Sequence, residues 1–312
     1  MGRDAHATSE HPVLIVGGSG QIGQRLAMAC HARGWPVVGT CYRNPQPGGI
    51  ALDATDGAQV RRVVQRLQPW LIVNSVNAKG GTDACEADPA LAKRAHEETA
   101  RHLVDAAAAV QARFVQISTN LVFDGHAGPY AETDLPRPLS QLGHAKLRAE
   151  RDAMERLSEA LVVRTSFVFS WTPNSATKNF VMQLLDNDHR GTVMRVPTDQ
   201  MGNVTYAPNF AQALVELIEQ GQAGLFHVAG TTRCSKYEWA LRVAERFGLN
   251  PALIQGVSTQ ELGQRGPRPL QAGLRLDKIQ AVLRRTRLLS LEDSLADMER
   301  EMTGARQPVG TP

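Results

Sequence analysis

Three features of the sequence predict an α/β fold: a doubly wound parallel sheet followed by a smaller C-terminal α/β domain. Short β-branched runs alternate with helix-periodic segments through about the first 170 residues, a glycine-rich turn marks the first strand-to-helix junction, and the regularity loosens beyond Ser170. Strands that alternate with helices pair in parallel, because each helix carries the chain back across one face of the sheet.

Residues 12–16 (PVLIV) form a β-branched run that stops at Gly17-Gly18-Ser19-Gly20, and residues 21–33 then place Ile22, Leu26 and Ala29 at helical spacing. Residues 36–40 (PVVGT) read as a second strand, 59–67 as a second helix and 70–74 (WLIVN) as a third strand. A long Ala-rich helix over 91–112 follows, then a strand over 113–118 (RFVQIS), a helix from Lys146 onward and a strand over 161–169 (LVVRTSFVF). Beyond Ser170, turn-rich stretches at 171–175, 186–188 and 197–203 are interleaved with short helices such as 210–220. This organisation predicts a tail over 1–11, a dinucleotide-binding domain over 12–169 to which 204–229 returns, a substrate-binding cap from 170–203 and 230–302, and a tail over 303–312.

A chain of 312 residues with 42% hydrophobic content buries a full core, which excludes a disordered tail protein or a disulfide-stapled miniprotein. The net charge of +3 is scattered, so nucleic acid is a poor partner, and no apolar stretch approaches the ~20 residues of a membrane helix. The polar N-terminus has no apolar leader segment, and Cys30, Cys41, Cys85 and Cys234 make no CxxC pair. Free buried thiols, no metal and a cytoplasmic location are therefore expected. Lysine is scarce, with 6 against 28 arginines, so a lysine on a functional spacing stands out.

Gly17, Gly20 and Gly23 give GxxGxxG, and Gly18, Gly20 and Gly23 give GxGxxG, between a strand and a helix. Such a turn suits a phosphate, because missing Cβ atoms admit the backbone and the next helix presents free N–H groups to the anion. Gln21 and Ile22, which open that helix, join the glycines as expected cofactor contacts. The second strand runs into Cys41-Tyr42-Arg43-Asn44, with no acidic residue to hold a free adenine ribose. Arg43 offers its guanidinium to a 2′-phosphate, which favours NADP over NAD, unless it is a solvated edge residue. Asp53 either accepts from the adenine amino group or caps the following helix.

Five segments, in order, resemble the extended short-chain dehydrogenase/reductases, and within them the dTDP-4-dehydrorhamnose reductase family, which also contains the regulatory β subunit of methionine adenosyltransferase. Residues 17–23 (GGSGQIG) are similar to the family's GxxGQLG turn, and 117–125 (ISTNLVFDG) to its STDYVFDG loop. Residues 138–150 (PLSQLGHAKLRAE) resemble P-L-x-x-Y-G-x-x-K-x-x-x-E, Asp199-Gln200 with Val204-Thr205-Tyr206-Ala207 resembles DQ-x-x-x-P-T-Y-A, and Arg268-Pro269 the C-terminal RP. The resemblance implies a Rossmann sheet of the extended type. It also implies hydride transfer to a keto carbon of a nucleotide sugar, with a Tyr donating the proton, a Lys binding the nicotinamide ribose and a Ser/Thr bonding the carbonyl.

Position by position, the Thr is Thr119 and the Lys is Lys146, but the Tyr position holds Leu142, and the family's Asp and Tyr after the Thr are Asn120 and Leu121. Leucine cannot donate a proton, and His144, two positions on, projects to another side of the helix. Of the four tyrosines, Tyr42 falls at the adenosine end and Tyr237 in the cap. Tyr130 and Tyr206 are left as surrogate catalytic phenols, or as packing and substrate contacts. Lys146 either meets the cofactor ribose or is a solvated partner of Glu150 at i,i+4. Asn74, Ser75 and Val76 end the third strand, where this fold brings backbone close to the cofactor. Lys79 reads as solvent-exposed and His96 as a partly buried structural histidine.

Three functions fit these residues: an NADP-dependent reductase, or a redox-assisted isomerase, of a nucleotide sugar or similar small molecule with altered acid catalysis; a cofactor-binding regulatory subunit; and a non-redox enzyme on the same fold. A homodimer is compatible with the architecture.

Overall fold

The structure, a computed structural model, describes residues 11–42, 48–173 and 178–304. The chain opens with β1 (Val13–Val16), α1 (Gln21–His31), β2 (Val37–Cys41), β3 (Ile50–Ala51), α2 (Gly57–Leu67) and β4 (Leu71–Asn74). Then come α3 (Gly81–Ala87), α4 (Pro89–Ala92), α5 (Thr99–Ala109), β5 (Arg113–Thr119), α6 (Gln141–Arg156), β6 (Leu161–Thr165) and β7 (Val168–Phe169). The later half supplies α7 (Phe180–His189), β8 (Met194–Pro197), β9 (Met201–Asn203), β10 (Thr205–Tyr206), α8 (Ala207–Glu219) and β11 (Gly224–His227). It closes with β12 (Arg233–Ser235), α9 (Lys236–Phe247), β13 (Ile254–Val257), α10 (Thr259–Leu262), α11 (Asp277–Val282) and α12 (Leu291–Gly304).

Seven strands pair in parallel in the order β11-β6-β5-β4-β1-β2-β3. The order reverses between β1 and β4, which opens a crevice at the carboxyl ends of those strands. Both faces are covered, so strand residues alternate between two cores instead of between core and solvent. Val13 and Ile15 join Leu26, Phe210 and Leu214 on the side of α1 and α8, while Leu14 and Val16 join Val60, Val64, Leu103 and Val104 on the side of α2 and α5. A third cluster, around Trp239, Phe169, Tyr206 and Leu295, is the core of the later half. Gly224–His227 lies in the large sheet, and α8 packs on α1.

Several boundaries differ from the sequence expectation. The long helix expected over 91–112 is divided by a π-helical turn at Lys93–Glu98, and the strand expected over 161–169 breaks into β6 and β7 because Phe167 takes a left-handed φ of +43°. The helix expected from Lys146 starts earlier, at Gln141, because the Ser140 hydroxyl caps it by accepting from the Gly143 N–H. Helix α12 continues through Gly304, past the expected start of the tail. Among the described residues, no helix is long and apolar enough to cross a membrane.

Glu216, fully buried on α8, accepts the backbone N–H groups of Arg284 (2.5 Å), Arg285 (2.9 Å) and Thr286 (2.7 Å). Burial alone would raise its pKa, but these donors prevail and hold the carboxyl at about 2. A depressed native pKa stabilises the fold above the unfolded-state value, and that contribution is lost as pH falls toward about 2. Glu216→Gln is therefore expected to lower the thermal midpoint at neutral pH, with the gap to wild type closing on acidification. A gap that stays constant between neutral pH and acid would contradict this assignment.

Candidate functional site

At the crevice, Gly17 turns the chain out of β1 with a left-handed φ of +84°, and the Gly20 N–H closes the turn on the Gly17 carbonyl at 3.0 Å. A Cβ on Gly23 would lie 2.4 Å from the Gly17 oxygen, so α1 approaches the turn closely only because this residue is glycine. Ser75, just past β4, fastens the turn from the other side: its N–H and its Oγ both reach the Val16 carbonyl at 2.9 Å. Asn74 spends its amide inside the sheet, donating to Gln116 Oε1 (2.9 Å) and accepting from the Val76 N–H (3.2 Å). Helix α1 has Gly20 at its N-cap and no side-chain cap, which leaves the amides of Gln21, Ile22 and Gly23 for an incoming anion. Gly17, Gly20, Gln21, Ile22 and Gly23 thus stand together in a tight turn at the uncapped N-terminus of α1.

Past the end of β2, Arg43 lies outside the described residues. The helix-capping alternative for Asp53 is corrected: Asp56 caps α2, accepting from Ala58 N (2.9 Å) and Gln59 N (3.1 Å). Asp53 instead accepts the Thr55 N–H (3.0 Å) and hydroxyl (2.7 Å) in the turn before it.

Across the crevice, Lys146 reaches from α6 and donates to the carbonyls of Val76 (3.1 Å) and Ile117 (3.1 Å), bridging the ends of β4 and β5. It is buried and does not pair with Glu150, so the solvated-pair reading falls. Burial pulls its pKa down to about 8, against the opposing charges of Glu150 and Cys85. His96, on the π-helical turn, is buried with neither ring nitrogen hydrogen-bonded; burial and then the Lys146 charge hold it well below its usual range. Thr119 ends β5, where its hydroxyl accepts from the Leu121 N–H (3.2 Å) and faces Asn120 Oδ1 at 3.3 Å.

Leu142, one turn before Lys146, is buried in an apolar cluster with Ala78, Cys85, Ala92 and Ala145, against which Leu121 packs. Both surrogate phenols are committed elsewhere, which corrects the expectation for them. The Tyr130 hydroxyl donates to Asp124 Oδ1 (2.5 Å) and accepts from Ala127 N (3.1 Å), with its ring stacked on Phe123. The Tyr206 hydroxyl donates to Glu301 Oε2 (2.9 Å), itself paired with Arg25 at 2.5 Å. Burial, reinforced by those carboxylates, raises both phenols above their usual range. His144 and Lys79 are exposed.

The sequence reading missed the true partner of Glu150. Fully buried, its carboxylate accepts from Arg164 Nε at 3.0 Å and Nη2 at 2.6 Å, and from the Ser118 hydroxyl. The available signal was the helix period, which puts Glu150 on the same buried face as Leu142, Lys146 and Ala153.

The chain is similar to the spore coat polysaccharide biosynthesis protein SpsK of Bacillus subtilis, with 30% identity over 82% of this chain and 86% of the relative. It is also similar to the methionine adenosyltransferase 2 subunit beta of Danio rerio, with 27% identity over 89% of this chain and 87% of the relative. Among solved structures, the dTDP-4-dehydrorhamnose reductase of Bacillus anthracis in complex with NADP superposes with a TM-score of 0.84, at 26% identity, over 94% of this chain and all of that one. The model of the family described as RmlD substrate binding domain matches residues 11–303, and with that span the chain belongs to the RmlD family, that of dTDP-4-dehydrorhamnose reductase.

Proposed function

We propose that the chain is an NADP-dependent reductase of a keto group in a nucleotide sugar or similar biosynthetic intermediate, working with Leu142 in place of the family's phenol. The observation that carries this reading is the pairing of the glycine cradle with a buried Lys146 whose ammonium is fixed between the carbonyls of Val76 and Ile117. Burying an ammonium is costly, and the two carbonyls offset that cost only in part.

The bound cofactor would supply the hydride. The cradle glycines with Gln21 and Ile22 would hold the pyrophosphate, and Arg43 would meet the 2′-phosphate that separates NADP from NAD. Asp53 would accept from the adenine amino group, while Asn74, Ser75 and Val76 would shape the floor beneath the nicotinamide end. Thr119 would turn its hydroxyl proton to the substrate carbonyl. Lys146 spends two of its three N–H groups on carbonyls and keeps a third, which would deliver the proton to the alkoxide oxygen. The resulting amine would regain its proton from solvent.

The test is a fluorescence titration with NADPH and NADH, followed by a panel of nucleotide 4-keto sugars. NADPH is expected to bind more tightly and to be oxidised on addition of a substrate, at a rate that falls as pH rises through about 8, where Lys146 loses its proton. The apolar cluster around Leu142 favours one second reading, a cofactor-binding regulatory subunit. Tight NADPH binding with no oxidation by any member of the panel would select that reading, and conversion of substrate with no net redox change a non-redox enzyme. No binding of either nucleotide would defeat the cofactor assignment.

A further inference from the structure

Helix α6 is stitched to β5 at two consecutive residues, immediately before Thr119. Lys146 donates to the Ile117 carbonyl at 3.1 Å, and Glu150, one helical turn on, accepts from the Ser118 hydroxyl. The neighbouring strand β6 secures the second stitch. Arg164, the β-ladder partner of Ser118, holds the Glu150 carboxylate with Nε at 3.0 Å and 3.1 Å and with Nη2 at 2.6 Å. Its guanidinium also lies 5.0 Å from the centre of the Phe123 ring.

As a fastening alone, this pair is a costly choice. Glu150 is fully buried and Arg164 nearly so, and a buried ion pair is often no more stabilising than apolar side chains of the same volume. What charged hydrogen bonds add is direction: a carboxylate bonded by a planar guanidinium on one side and a hydroxyl on the other has a fixed orientation, whereas an apolar contact tolerates small slides of helix against strand. Direction matters here because Thr119 follows Ser118 in β5 and Lys146 shares α6 with Glu150. A slide of α6 along β5 would carry the ammonium away from the end of the strand, and a displacement of about 1 Å at a reacting group can cost about 10²-fold in rate.

We propose that Glu150, held by Arg164 and bonded to Ser118, is a positioning residue that aligns Lys146 and Thr119 on one keto group. Resting on the reductase reading above, this role deepens it: the buried carboxylate acts on the reaction only through the two residues that it aligns. Its charge has a further effect. The titratable groups about the ammonium are Glu150 on its own helix, Cys85 on α3 and His96 on the π-helical turn. Burial raises the Cys85 thiol and lowers His96, so both are neutral at about pH 8, where Lys146 titrates, and of the three only Glu150, ion-paired with Arg164, brings a charge. That charge supports the protonated form of Lys146.

The test uses the full chain and substitutions that spare Arg164. Ser118→Ala removes the stitch to β5 while Glu150 keeps its ion pair; it is expected to lower kcat by about tenfold or more, with the KM of the keto sugar and the Kd of NADPH within about threefold of wild type. Ser118→Thr keeps the hydroxyl and is expected to restore most of the rate. Glu150→Gln keeps the shape without the charge, and is expected to lower kcat and to move the fall of rate with pH to below about 8. A structural fastening would lower the thermal midpoint of these variants but, at a temperature where each is folded, leave kcat and the pH profile as in wild type. That result, or a folded Ser118→Thr protein as slow as the alanine variant, would overturn the proposal. A second measurement needs no substrate: with only 6 lysines in the chain, Lys146 can be followed by NMR of isotopically labelled lysine, and its titration is expected to shift to lower pH in Glu150→Gln. An unshifted Lys146 would overturn the role of Glu150 even in an active enzyme. A shifted Lys146 beside a wild-type protein that oxidises no NADPH would defeat the reductase reading instead.

Discussion

Replacing Leu142 with tyrosine is expected to raise the rate of nucleotide 4-keto sugar reduction by about 10²–10⁴-fold, the usual contribution of a positioned general acid. Leu142 and Lys146 are both buried and lie one helical turn apart on the same face of α6, so a phenol at 142 would rise beside the ammonium. That neighbouring positive charge would lower the phenol's pKa and ready it for proton transfer. The larger ring must enter the apolar cluster of Ala78, Cys85 and Ala145, at a cost of about 1–3 kcal/mol in stability. Single-turnover NADPH oxidation measures the gain, and thermal denaturation measures the cost. A folded, NADPH-binding Leu142→Tyr protein with an unchanged rate would show that Leu142 does not occupy the position of a missing acid.

Breaking the Arg164–Glu150 pair is expected to have the largest effect on stability. Arg164→Leu leaves a fully buried carboxylate with the Ser118 hydroxyl alone, and losing one partner of a buried ion pair typically costs about 3–5 kcal/mol. The double variant Arg164→Leu/Glu150→Leu removes both charges and should recover much of that loss. Urea denaturation with an unchanged slope provides the comparison. A single variant within about 1 kcal/mol of wild type, the range of exposed pairs, would mean that the site is effectively solvated.

The alternation of strands and helices was legible because a sheet covered on both faces needs continuous apolar runs, such as Val13–Val16, that no surface strand would carry. The cradle was legible because Gly23 answers a clash with neighbouring backbone, a constraint encoded at a single position. What escaped depends on contacts between residues distant in sequence. Lys146 and Glu150 have the spacing of a surface pair, yet Arg164 on β6 captures the carboxylate and Lys146 turns to the carbonyls of Val76 and Ile117. Tyr206 could be nominated as a phenol, but its acceptor, Glu301, lies on the last helix. The break at Phe167 likewise arises from the backbone conformation of one residue inside an otherwise uniform apolar stretch.

The order in which the sheet is assembled has a consequence during synthesis. Strand β6 is complete at Thr165, but β11, which pairs with it, is not complete until His227. At about 5–20 residues per second, the intervening segment keeps the nascent chain waiting roughly 3–12 s. Throughout that interval, one edge of an otherwise formed parallel sheet presents its unpaired backbone groups to other chains. A ribosome pausing between these strands would lengthen the exposure without altering any residue.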